Sequence, residues 1–119
     1  MAKYFSEGEF RRCVPSCSIN DMDKEFLDIL DKIREDSGIP LILNCAYRSV
    51  EWDKAKGRSG NSAHCRGMAV DIRANNGSTA YKIVKAAMDN GICRIGIGNG
   101  YVHLDNDDSL PQNVIWNYY

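Results

Sequence analysis

The sequence predicts an α+β fold, a small antiparallel sheet with helices on one side. Two stretches repeat apolar residues at helical spacing, several short runs alternate or cluster as strands do, and the two kinds of segment do not alternate strictly. The 119 residues and 13.4 kDa fit one domain, 1–119. A chain of that length buries about two thirds of its unfolded surface, so its core needs no metal or disulfide merely to form.

The first twenty residues read as an irregular segment carrying Phe5, Phe10, Cys13 and Cys17. Asn20 or Asp21 is expected to cap a helix with Met22, Phe26, Leu30 and Ile33 turned inward, stopped by Gly38-Ile39-Pro40. Leu41–Leu43 follows as a short buried strand. Residues 47–61 are polar and glycine-containing and read as a long loop, a feature that is usually functional or disordered. Met68–Ile72 reads as a strand. A second helix is expected from about Ser78 to Asn90, with Tyr81, Val84, Ala87 and Met88 inward and Gly91 as its stop. Arg94–Ile97 and Tyr101–Asp105 read as antiparallel strands joined at Gly98-Asn99-Gly100. The tail from Pro111 to Tyr119 is expected to pack back on the body.

Charge and cysteine content narrow the function classes. The net charge is −1 and no basic run exceeds Arg11-Arg12, so a nucleic-acid footprint is missing. No apolar run approaches the roughly 20 residues of a membrane-spanning helix. A monomer without nucleic-acid or membrane partners is expected. The five cysteines are odd in number and lack paired C-x-x-C spacing, which argues against a zinc finger. Cys13 and Cys17 have a spacing that can bridge or bind metal, but reduced, part-buried thiols are the simpler expectation.

Both histidines sit in suggestive places. The strand period puts Val102 and Leu104 on one face of Tyr101–Asp105 and leaves Tyr101, His103 and Asp105 on the other. In Met68–Ile72 the same alternation turns Met68, Val70 and Ile72 inward and Asp71 outward. His64 lies seven positions before Asp71, with Gly67 between them permitting a tight approach of loop to strand. Two imidazoles and one carboxylate form a zinc set that leaves a fourth position open for water. Zinc there would acidify that water and polarise a carbonyl, which makes amide hydrolysis accessible. The bland alternative is two surface histidines and a strand-end aspartate.

Ser62-Ala-His64-Cys-Arg-Gly67-Met-Ala69-Val-Asp71 resembles S-x-H-x-x-G-x-A-x-D, the signature of the zinc D-alanyl-D-alanine carboxypeptidases and related endopeptidases of the peptidase M15 group. Tyr47-Arg48-Ser49 resembles that group's Y-R-S segment, and His103-Leu104-Asp105 its downstream H-x-D strand. The resemblance implies a hedgehog/DD-peptidase fold and a Zn²⁺ ion on His64, Asp71 and His103. It further implies a metallopeptidase acting on D-amino-acid bonds of peptidoglycan stem peptides. Arg48 resembles the residue that holds a substrate carboxylate, a task suited to a bidentate guanidinium. Its alternative is an ion pair with Glu51 or Asp53. Ser62 resembles the family serine that bonds substrate, and can equally fix its own loop. Tyr47 and Trp52 are expected to pack under the loop rather than line a groove.

One position departs from the group's pattern. Members commonly carry an acid three residues before the last histidine, and here that residue is Gly100. Asp105 is the nearest substitute for moving the catalytic proton, with Asp107 and Asp108 weaker candidates. The departure supports an alternative from another class, a zinc-containing peptidoglycan- or ligand-binding module with little turnover. A cysteine hydrolase built on Cys65 and His64 is disfavoured, because adjacent residues seldom bring thiol and imidazole into contact. The opening Met1–Glu7 lacks an apolar signal region. Cytoplasmic synthesis with phage-type release is expected, or a clipped secreted or periplasmic protein.

Overall fold

Ser6 opens the first helix of the computed structural model, which describes residues 2–118. Expectations for Met1 and Tyr119 lie outside the described residues. Helix α1 (Glu7–Arg11) is closed by a bond from Ser6 N to Glu9 Oε2 of 2.9 Å, and buries Phe10. The first twenty residues are therefore not irregular throughout. Ser18 then caps a single 3₁₀ turn, Ile19–Asp21. Helix α2 (Lys24–Ser37) starts beyond that turn, because Asp23 accepts from Phe26 N at 2.9 Å and so serves as its cap in place of Asn20 or Asp21. Phe26, Leu27, Leu30 and Ile33 form its buried stripe, and Gly38 ends it in the left-handed region at φ 71°.

Strand β1 (Leu43–Cys45) lies two residues later than expected, because pairing with the next strand starts where Arg73 N donates to Ile42 O. Helix α3 (Val50–Ala55) occupies the predicted loop, with Ser49 Oγ accepting from Trp52 N. The one side chain that α3 buries fully is Asp53, so apolar periodicity gave no sign of it. A 3₁₀ turn, Ala63–Arg66, precedes β2 (Ala69–Arg73). Helix α4 (Gly77–Asp89) follows, then β3 (Arg94–Ile97), β4 (Tyr101–Asp105) and β5 (Val114–Asn117).

The five strands are ordered β1-β2-β4-β3-β5. Every neighbouring pair is antiparallel except β3–β5, so one edge departs from the all-antiparallel expectation and the tail becomes a strand. The inward stripe of α4 is also rotated from the predicted one. Ile83, Ala86 and Ala87 are buried, whereas Tyr81 and Met88 are 66% and 55% exposed. Alanines let α4 approach α2 and β4 closely, and Ala80, Ile83 and Ala87 recur at the spacing of one face. Beneath the helices Val70, Ile72, Ile95, Val102 and Leu104 complete the core with Phe10, Phe26, Leu30 and Ile33. Each such side chain contributes about 1.5–3 kcal/mol of burial. The apolar face of β2 and β4 is thus fixed, and their polar face is left for chemistry.

Candidate metal centre

The register of the sheet assembles the site. Asp71 of β2 and His103 of β4 are direct cross-strand partners, so their side chains meet on the polar face. His64 arrives from the 3₁₀ turn, whose exit is Gly67 at φ 69°. A Cβ on Gly67 would lie 2.3 Å from Asp21 O, so only glycine lets the turn pack against the entry to α2. Asp23 N also donates to Gly67 O, which ties the two segments together.

Three side chains converge on one point. Asp71 Oδ1 lies 3.0 Å from His103 Nδ1 and 3.4 Å from His64 Nε2. The two rings stand edge to face with centroids 5.1 Å apart. Each ring is held from behind: His64 Nδ1 donates to Ala46 O at 2.6 Å, and His103 Nε2 donates to Asp105 Oδ2 at 2.7 Å. Those outer bonds choose the tautomers and leave His64 Nε2 and His103 Nδ1 as the inward nitrogens, the arrangement a zinc ligand set requires. The donors present therefore fit the ion that the sequence implies.

The electrostatics agree. Burial alone would raise the pKa of Asp71, yet the hydrogen bonds from His103 and His64 outweigh it and hold the carboxyl well below the usual carboxylate range. Burial works against the charged form of His103, but Asp105 and Asp71 prevail and raise it. A carboxylate kept ionised between two imidazoles is prepared for a cation.

Cys45 is the neighbour that sequence reasoning did not assign. Its Sγ lies 3.8 Å from His64 Nδ1, and among the described residues Cys45, His64 and Asp71 offer ligand atoms all within 4.8 Å of one another. Two donor sets therefore share His64 and Asp71, one completed by His103 and the other by Cys45. Burial, then the charge of Asp71, push the Cys45 thiol up to about 12, so without a metal it is a thiol. The other four cysteines are free as well, with Cys13 and Cys17 buried.

The remaining predicted site residues fall into place around this centre. Arg48 is 7% exposed; its Nε stands 3.1 Å from Asp53 Oδ1, at an angle short of a hydrogen bond, and its Nη2 donates to Ser62 Oγ at 3.0 Å. Ser62 Oγ also accepts from His64 N at 3.1 Å, so Asp53, Arg48 and Ser62 form a brace behind the first histidine. Asp105 stands on the far side of the His103 ring from Asp71. It is 1% exposed, and its Oδ1 accepts from Arg94 Nε at 2.7 Å and from Asp107 N at 3.1 Å. Both oxygens of Asp105 are thus engaged behind His103, Oδ2 by the imidazole and Oδ1 by Arg94 and the Asp107 backbone. Asp107 is buried too and pairs with Arg66 and Ser109. Asp108 is exposed on the loop beyond it.

A cleft of about 780 Å³ opens in front of Asp71, walled by Cys45, Arg48, Trp52 and Tyr101 among others. Trp52 therefore lines a groove after all, while Tyr47 packs against the core. On the opposite flank Trp116 of β5 and Tyr118 just beyond it lie over the sheet, with ring centroids 5.5 Å and 6.4 Å from His103. Gly96 makes room, since a Cβ there would lie 2.7 Å from Trp116 Nε1.

A mixed fold carrying this donor set on its sheet defines a metallopeptidase-like class. The family described as Peptidase M15 matches residues 3–105, and the chain belongs to it. Among solved structures it is similar to the L-Ala D-Glu endopeptidase ChiX of Serratia marcescens, at 16% identity over 89% of this chain and 90% of that one, with a TM-score of 0.55. A likeness at that identity is one of fold. No curated protein matches the chain.

Proposed function

We propose that this protein is a zinc-dependent peptidase of the bacterial cell wall, cutting peptide bonds that involve D-amino acids in peptidoglycan stem peptides. The observation that carries this reading is the convergence of His64 Nε2 and His103 Nδ1 on Asp71 Oδ1, each ring buttressed through its other nitrogen. Membership of the peptidase M15 family supports it, as does the fold shared with an enzyme named for its action on an L-Ala D-Glu bond. Endopeptidase and D-Ala-D-Ala carboxypeptidase action both suit the open cleft.

His64, Asp71 and His103 would hold the ion. Bound there, zinc supplies Lewis-acid polarisation of a carbonyl and an acidified water. Asp105 fixes the tautomer of His103 and, through Arg94, anchors it to β3. Arg48 and Ser62 steady His64, and Arg48 also presents its edge to the cleft as a partner for a substrate carboxylate. No acid stands at Gly100, whose backbone lies in the left-handed region at φ 85°.

That glycine favours a second reading, a zinc-containing binding module with little turnover. Apart from Asp71, the only carboxylate on the cleft wall among the described residues is Glu9, which caps α1. Incubation of the protein with muropeptides, with and without added zinc, separates the two. Zinc-dependent products with a new terminus next to a D-residue, seen by mass spectrometry, are expected. A zinc-loaded protein that binds muropeptides and leaves them intact would establish the binding module instead.

A further inference from the structure

We infer that the cleft beside Asp71 selects peptides carrying several free carboxylates, read by Arg12, Arg58 and Arg73; this deepens the peptidase reading and rests on it. Four arginines line the cleft and no lysine does, in a chain whose net charge is −1. The positive field is therefore local, not a property of the whole surface.

The acids on the same walls do not cancel it. Asp71 faces the two histidines, and Glu9 Oε2 accepts from Ser6 N. Arg48 is met by Asp53 in the interior. The other three guanidiniums are exposed, and none pairs with a carboxylate among the described residues. Outside the cleft Arg11, Arg66 and Arg94 each hold a carboxylate, and Arg34 lies over the Tyr4 ring. Unpaired arginines thus concentrate where a substrate would lie.

Their placement narrows the ligand. Arg12 caps α1, Arg58 follows α3, and Arg73 ends β2 two residues beyond Asp71 on the same face, about 7 Å along the strand. Three cations on three walls, around a centre poised against an amide, suit a short peptide with separate carboxylates better than a linear chain of phosphates. Each guanidinium can take one carboxylate through two parallel bonds, a geometry that lysine lacks.

The test uses zinc-loaded protein and two probes, L-Ala-D-Glu-L-Ala-D-Ala with its free carboxylates and the same peptide with both amidated. Binding is read in the first milliseconds by tryptophan fluorescence, since Trp52 lines the cleft. The dicarboxylate is expected to bind about tenfold more tightly, allowing for the exposure of the guanidiniums. In the Arg58→Gln/Arg73→Gln protein that preference should nearly vanish while zinc content holds; Arg58→Lys/Arg73→Lys should restore part of it. Equal binding of the two probes, or a preference that survives the double glutamine variant, overturns the inference. Tighter binding of a poly(glycerol phosphate) chain than of the dicarboxylate overturns it too. Cleavage without carboxylate preference sinks this inference and leaves the peptidase reading standing, and preference without cleavage does the reverse.

Discussion

His103 uses both ring nitrogens, and the partner on each side sets what the other can do. With Nε2 donating to Asp105, Nδ1 is turned to Asp71 and the inward side of the site. Replacing Asp105 by Asn keeps an acceptor oxygen but removes the charge that makes the imidazole a stronger donor to a metal. Zinc affinity should fall about 10- to 100-fold in Asp105→Asn, measured by competition with a chromophoric chelator, with the fold intact by circular dichroism. Unchanged affinity would remove Asp105 from the support of the site. Asp107 tests the loop that follows. Burial tends to raise its pKa, but Ser109 and Arg66 lower it below the usual carboxylate range. Its ionised form therefore stabilises the folded protein above the ordinary aspartate value of about 4, and the contribution is lost as pH falls through the lowered folded value. Asp107→Asn should cost about 1–2 kcal/mol at pH 7 in urea unfolding. The gap to the parent should close in acid; a pH-independent gap would trace the loss to packing. His64, Asp71 and His103 were legible because strand alternation and short spacing act locally along the chain. Cys45 and Arg94 were not, because the pairing of distant strands brings them to the site; Asp53 was named as a partner for Arg48, but its burial follows from the tertiary seat of a short helix.

At the scale of elements, legibility followed apolar periodicity. β3 and β4 match their expected bounds, and α2 buries Phe26, Leu30 and Ile33 as its spacing named, while Met22 is buried just ahead of the helix. The two helices that went unread, α1 and α3, are five and six residues long and bury one side chain each. Their remaining signal was polar: Ser6 three residues before Glu9, and Ser49 as a cap with Glu51 and Asp53 in the first turn. In α4 apolar size alone points Tyr81 and Met88 inward, whereas close helix packing needs alanine and leaves both exposed. α3 matters to the site because it seats Asp53 beneath Arg48. Ser49→Ala should destabilise this segment by about 1 kcal/mol, seen as faster hydrogen exchange in residues 50–56. Exchange as slow as in the parent would mean that tertiary contacts alone hold α3.

The whole molecule separates its tasks by the two faces of one sheet. Core residues from α2, α4 and the inner strand positions hold the scaffold, and the opposite face presents the candidate ligands from β2, β4 and the turn before β2. Because that core does not pass through the candidate ligands, the protein should be folded without a metal, with the same circular dichroism in the presence of a chelator as with zinc added. The balanced net charge seen in the sequence hid the local field of the cleft, since arginines from three separate elements meet only in the fold. The central claim is that His103, not Cys45, completes the metal set with His64 and Asp71. Zinc titration of metal-free protein against a chromophoric chelator tests it most directly, run on the parent, His103→Ala and Cys45→Ser. The account predicts one tight equivalent in the parent, an affinity loss of at least about 100-fold in His103→Ala, and parental affinity in Cys45→Ser. Tight zinc in His103→Ala together with its loss in Cys45→Ser would contradict it.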